Sequence, residues 1–372
     1  MSKHKNLKRN LLICLLAGSA VMYTLPLHAA TSVIANNTLP MGEDSLTQNH
    51  TFDRGNLEMT ITQNGSNGII KWDSFNVGGS ATVNFKGPQK GYNTLNYVNG
   101  ANMSQIYGTI NANNNGNIFI VNPAGVQIGN SAQINVGSLH VSNAKVTDEY
   151  LKTVNKDTKV NKFLQNAQMT NAALMSLGNI NANKVTFEGD GRIVIDSERI
   201  TNDANNATFR VNTNDAGNVL IGYDAYVDKD NNNDNLIDGY VGQDKTFSNN
   251  VYVNGNLDTN VKGYMWVEDV EQLQAINTNL SGNYALRNSI DATGTEQKHF
   301  TSIGSDNNAF KGKFDGIDYN IFGLNIKETG NNVGLFGYTD GATINNVTLV
   351  GGSITGGSIT GGSITGGNNV GA

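Results

Sequence analysis

Gly108-Thr109-Ile110-Asn111-Ala112-Asn113 and Gly178-Asn179-Ile180-Asn181-Ala182-Asn183 are nearly the same phrase written twice. In each, apolar residues alternate with Asn or Thr, the period of a strand with one buried face. A further strand is expected after each copy, at 118–121 after the first and 192–195 after the second. The same period-two pattern marks 57–62 and 81–85, and the pairs Asn64-Gly65, Asn67-Gly68 and Asn99-Gly100 read as turns between strands. Recurring short strands rich in Asn predict a solenoid, in which each coil buries its apolar face only against its neighbours. The preferred form is all-β, a right-handed parallel β-helix with coils of about 22 residues stacked about 4.8 Å apart. Asn side chains would then bond along the stack, and Gly would supply corners needing positive φ. A chain of immunoglobulin-like sandwiches is the competing architecture, and it demands antiparallel hairpins.

Composition agrees. Of 372 residues, 59 are Asn, 43 are Gly and only 4 are Pro, while charged residues amount to 15%. That mixture argues against helical bundles and coiled coils. Hydrophobic residues at 38% and aromatics at 8% are too many for a wholly disordered chain. A formal charge of −6 excludes general electrostatic attraction to nucleic acid.

The first thirty residues read as a secretory signal. Lys3, Lys5, Lys8 and Arg9 precede an apolar run from 11 to 22, and Pro26 comes before the small residues Ala29 and Ala30. The run is too short to span a bilayer, which takes about 20 residues. Cleavage near Ala29 or Ala30 would take the formal charge to −10 and remove Cys14, the one cysteine. Neither disulfides nor thiolate metal sites are then available to the mature chain.

Two stretches break the rhythm. Between 144 and 178 charged residues cluster, and Phe163, Leu164, Met169, Ala173, Leu174 and Leu177 suggest a partly helical excursion or a solvated loop. Near 265, Val267, Val270, Leu273 and Ile276 recur every three residues, with Glu268, Asp269 and Glu271 where a helix dipole favours acids. A short linking helix is expected there, leading to a second β-rich repeat unit over 263–372. Asn331-Asn332-Val333-Gly334-Leu335-Phe336-Gly337 returns, cut short, at 368–372, and Gly-Gly-Ser-Ile-Thr occurs three times between 351 and 365. The expectation is a fragment of a longer protein.

These residues carry a family resemblance. Trp72-Asp73-Ser74-Phe75-Asn76-Val77-Gly78, Leu95-Asn96-Tyr97-Val98-Asn99-Gly100 and Ser104-Gln105-Ile106-Tyr107-Gly108 resemble the amino-terminal domain of filamentous-haemagglutinin-type exoproteins. Most telling is Asn117-Ile118-Phe119-Ile120-Val121-Asn122-Pro123-Ala124-Gly125-Val126, which is similar to the family's Asn-Pro-Asn-Gly-Ile/Val element. The likeness is strong over 31–143 and weaker to about 260, so the expected secretion domain is 31–262. It implies a β-helix, and export by a two-partner route in which an outer-membrane barrel transporter recognises the domain. It also implies a secreted or surface-held protein acting in adhesion or haemagglutination, with a host-cell, matrix or bacterial receptor. The units after 263, with Val333-Gly334-Leu335-Phe336-Gly337, are similar to Gly-Leu-Phe-Gly-like repeats of adhesins. By the same resemblance, Asn122, Pro123, Ala124, Gly125, Val126, Trp72, Phe75, Asn76, Ser104 and Gln105 are the secretion residues. Ala124 stands where relatives carry a second Asn, and Met103 where Pro is common.

The element also has a plain physical reading. Pro123 fixes φ, Asn122 bonds backbone two residues on, and Gly125 frees the exit, so a tight turn is expected.

Other chemistry is sparse. Asp228, Asp230, Asn232, Asp234 and Asp238 place oxygens at near-alternate positions, as a Ca²⁺ site would, although the glycine and bidentate Glu of a helix-loop-helix site are missing. A solvated acidic tip is the alternative, and no other cofactor is expected. Of the histidines, His50, His140 and His299 follow the signal, and no nucleophile, phosphate-loop or zinc-protease motif occurs. The expectation is no enzyme. A polysaccharide-cutting β-helix and the amino terminus of a cytolysin or contact-dependent toxin remain alternatives.

Overall fold

A computed structural model describes residues 34–201, 208–226, 239, 240, 245–247, 250–295 and 299–356. The signal segment, the acidic run at 228–238 and the last copies of the Gly-Gly-Ser-Ile-Thr repeat lie outside them.

Three long sheets form the walls of a parallel β-helix. The first face stacks Asn67–Trp72, Asn93–Val98, Asn117–Val121, Ser138–Ser142, Lys184–Glu188, Thr208–Thr213 and Val251–Val253, all parallel. The second begins at Ser104–Ile106 and runs without a break, always parallel, to Thr343–Asn345. The third stacks Glu58–Gln63, Thr82–Lys86, Thr109–Ala112, Gln133–Asn135, Asn179–Asn181 and Ile200–Thr201. Among the described residues, antiparallel strand pairing is confined to short flanking pieces: Asp44–Ser45 and His50–Arg54 against the first coil, and, further on, Thr246–Phe247 with Val261–Lys262 and Val251–Val253 with Asn256–Asp258. Stacked sandwiches require antiparallel ladders throughout, so that architecture is excluded.

Register explains the opening phrase. Val83, Ile110, Ile134, Ile180 and Ile200 stand directly over one another, and all but the half-buried Ile200 are sealed from solvent. The two copies of the phrase are not adjacent rungs, because Gln133-Ile134-Asn135 lies between them. Burying each such side chain stabilises the stack by about 1.5–3 kcal/mol. Outside the same strands the Asn residues form ladders. Asn111 Nδ2 donates to Asn84 Oδ1 at 3.0 Å and Asn135 Nδ2 to Asn111 Oδ1 at 3.1 Å. A second ladder joins Asn117 to Asn93 and Asn93 to Asn67, each at 3.0 Å.

Three expectations need correction or refinement. Asn67-Gly68 is no turn; both residues open the strand Asn67–Trp72. Gly68 is needed there because a Cβ would stand 2.3 Å from His50 Nε2 and from Gln63 Oε1. The excursion after residue 143 holds only two short helices, Asp148–Leu151 and Val160–Leu164, and Leu174 already belongs to a strand. Helix Val270–Ala275 does form, with Asp269 capping the Gln272 N–H at 2.8 Å. It links two rungs of one sheet, though: Tyr264–Val267 pairs in parallel with Asn283–Leu286 on its far side. On its other edge Tyr264–Val267 pairs in parallel with Val219–Tyr223, so the second sheet runs on across residue 262, where the expected secretion domain ends.

Candidate functional site

The ten residues singled out from sequence meet at one corner of the solenoid, where the first face turns into the second. Asn122 follows the strand Asn117–Val121 and is fully buried. Its Oδ1 accepts the Ala124 N–H at 2.8 Å, while the Asn122 carbonyl accepts the Gly125 N–H at 2.9 Å. These two bonds close the tight turn over Pro123 and Ala124. The amide of Asn122 then points back one coil, donating to Asn102 O and to Ser104 Oγ, both at 3.0 Å. Gly125 has φ +102°, and a Cβ there would stand 2.6 Å from Ala173 O. Only glycine fits, for both reasons. Val126 leaves the turn into the second face, with Ser104 beneath it and Leu174 above.

One coil lower the pattern continues. Gln105 donates its backbone N–H to Asn76 Oδ1 at 2.8 Å, and Val77 pairs in parallel with Ile106. Trp72 and Phe75 fill the interior beneath, edge to face with ring centroids 5.5 Å apart. The Trp72 indole donates to Asn96 Oδ1 at 3.1 Å. Trp72, Phe75, Ser104, Gln105, Asn122, Gly125 and Val126 are all buried, so among the ten only Asn76, Pro123 and Ala124 show part of their surface. None carries an ionisable side chain, so the corner supplies no general acid or base.

Sequence reasoning missed the rung above. Asn143 is also fully buried, and its amide donates to Thr170 O and Ala172 O, each at 2.8 Å. Thr170 Oγ1 in turn donates to Pro123 O at 2.8 Å. The signal was present: Val121 stands under Ser142, so Asn122 and Asn143 occupy equivalent places in successive coils. The excursion at 144–169 hid the equivalence, because the next strand of the second face arrives only at Leu174.

Among the described residues, no three His, Cys, Asp or Glu side chains come together as a metal site would require. No described helix is long and apolar enough to cross a membrane.

The three-faced parallel solenoid defines the chain as a β-helix domain. The chain belongs to the TPS secretion domain family, whose model matches residues 33–313. It is thus the two-partner secretion domain of an exoprotein, and the partner such a domain implies is an outer-membrane transporter. Two curated relatives are heme/hemopexin-binding proteins of Haemophilus influenzae. One, from strain ATCC 51907, is 37% identical over 101 residues, covering 27% of this chain and 11% of that protein. The other is 40% identical over 82 residues, 22% of this chain and 9% of that protein. The chain therefore spans about a tenth of the length of these relatives. Among solved structures, the HMW1 secretion domain from Haemophilus influenzae matches over 86% of this chain and 91% of that one, at 15% identity and a TM-score of 0.37. The fold assignment rests on the parallel ladders above.

Proposed function

We propose that the Asn122 corner is the first rigid point of a chain that crosses the outer membrane unfolded and stacks outside, coil on coil. The observation carrying this reading is the buried Asn122 amide, which closes its own turn and grips the previous coil in the same step. Each new coil buries apolar surface and completes backbone pairs, so stacking outside favours forward movement without a nucleotide in the periplasm. Asn76, Pro123 and Ala124, being partly exposed, are the corner residues a transporter can touch.

The test is delivery through the cognate transporter, comparing the natural chain with Asn122→Ala and Gly125→Val. Both variants should be synthesised normally and fail to reach the surface; normal delivery would overturn the reading. Refolding of the purified variants separates two causes. A nucleus predicts slowed refolding, whereas a pure recognition element predicts normal refolding with lost binding to the transporter.

For the larger protein we propose adhesion to host cells, matrix or other bacteria, supported by the adhesin-like repeats after residue 263. The heme/hemopexin-binding relatives favour a second reading, binding of heme or hemopexin. Binding assays of the surface-delivered protein against epithelial cells and against haem-loaded hemopexin discriminate between them.

A further inference from the structure

The outer side of the first face changes character along the stack. One outward column reads Ile69, Leu95, Phe119, then His140, Thr186 and Arg210. The neighbouring column reads Lys71, Tyr97 and Val121. An apolar stripe thus lies on the outside of three coils and ends where polar residues begin. Outward apolar columns are costly unless covered, and here residues 144–169 cover them. Val146, Val160 and Phe163 are buried against Ile69, Leu95, Tyr97 and Val121. Phe163 meets Tyr97 edge to face at 5.4 Å, and Tyr97 Oη accepts the Val146 N–H at 3.2 Å. Helix Val160–Leu164 touches both Asn67–Trp72 and Asn93–Val98, strands of the two earliest coils of this face.

The covering segment is closed at its own base. Lys145 and Gln168 exchange both backbone bonds, N–H to O, at 2.7 and 2.8 Å. Asn143 pins the returning chain to the corner through Thr170 and Ala172. Every strand this segment covers precedes it in sequence.

From this we infer that residues 144–169 are a strap that closes over coils already stacked and locks them into one cooperative unit. A bare solenoid is held by contacts between nearest neighbours, so its end coils peel one at a time. The strap spans three successive coils, the first and third of which do not pair with each other. It ties Ile69 on the first to Val121 on the third, so an end coil cannot peel without losing contacts shared with both others. Because its docking surface exists only once those coils are paired, the strap closes after the rate-limiting step of folding. This goes beyond the secretion reading and does not depend on it.

The test uses the purified full chain and Phe163→Ala, followed by native-state hydrogen exchange and by folding kinetics. Amides of Asn67–Trp72, Asn93–Val98 and Asn117–Val121 should exchange faster together, by roughly a hundredfold to a few thousandfold, as expected for truncating a buried aromatic residue. Exchange in Val219–Tyr223 should stay unchanged. The unfolding rate should carry the loss while the refolding rate holds. Faster exchange confined to 144–169, or a loss borne by refolding, would overturn the inference. Should Phe163→Ala not fold, Phe163→Leu gives the same readouts with a smaller expected change. No transporter enters the experiment, so its outcome is separate from that of the secretion test.

Discussion

Trp266 lies across the bare backbone of Gly222 and donates its indole N–H to Asp196 Oδ1, 3.1 Å away on a strand two rungs below. Asp196 is fully buried and takes two further bonds from Arg287, at 2.8 Å from Nε and 2.5 Å from Nη2. Arg287 also reaches Asp224 at 3.0 Å and Glu268 at 2.7 Å. Burial raises the Asp196 carboxyl above its usual range, against the opposing pull of Arg287. This network fastens the second face across residue 262.

Breaking it should be costly. Arg287→Met removes both charge-assisted hydrogen bonds to the buried carboxylate, leaving Arg199 at 3.7 Å as its remaining cation, and should destabilise the domain by about 3 kcal/mol. Gly222→Ala would place a Cβ 1.9 Å from Trp266 Cζ2, displacing the indole, at about 1–3 kcal/mol. Chemical denaturation followed by Trp fluorescence checks both, and an unchanged midpoint for Arg287→Met would refute the network's role.

His50 predicts a pH dependence. It sits at the amino-terminal end, with Nδ1 2.8 Å from Ser45 Oγ and Nε2 3.1 Å from Gln63 Oε1, and burial lowers its pKa to about 4. The unfolded chain then binds a proton that the folded chain refuses. Stability should be complete above pH 6.5 and fall as pH drops from 6.5 to 4, by up to roughly 3 kcal/mol. Denaturation midpoints measured over that window should flatten in His50→Asn relative to the natural chain.

At the corner, Asn122→Ala removes three hydrogen bonds in a buried site and should cost about 3 kcal/mol. Asn122→Asp keeps the acceptor for the Ala124 N–H but sets a carboxylate beside Asn102 O, and should be no better. Gly125→Ala should be at least as harmful, since it meets both the positive φ and the Ala173 carbonyl. Thermal melts of the three variants give the order.

The Asn ladder is a smaller effect. Asn111 both donates to Asn84 and accepts from Asn135 on a half-exposed surface, so Asn111→Ala should cost about 1 kcal/mol. Asn111→Asp keeps the acceptor and loses the donor, which sets two acceptors face to face. Its penalty should shrink once acid protonates the new carboxyl, and a pH series of melts shows whether it does.

Much of this molecule was legible from the chain alone, because a coil repeats the same local problem. Alternation of Ile with Asn in the opening phrase determined that one side of each strand is dry and the other polar. Pro123 and Gly125 determined a turn, since one fixes φ and the other permits a positive value. Which residues lie over which was decided only in three dimensions. Gly68 looks like half of a turn pair until His50, eighteen positions earlier, is seen lying over it. Asn143 shows its equivalence to Asn122 only when the excursion is set aside. The targets of Phe163, Trp266 and Arg287 lie one to several coils back. Alternation and turn chemistry depend on neighbours along the chain and can be read there. Stacking partners depend on the summed length of each coil and its insertions, so they exist only once the chain has closed on itself.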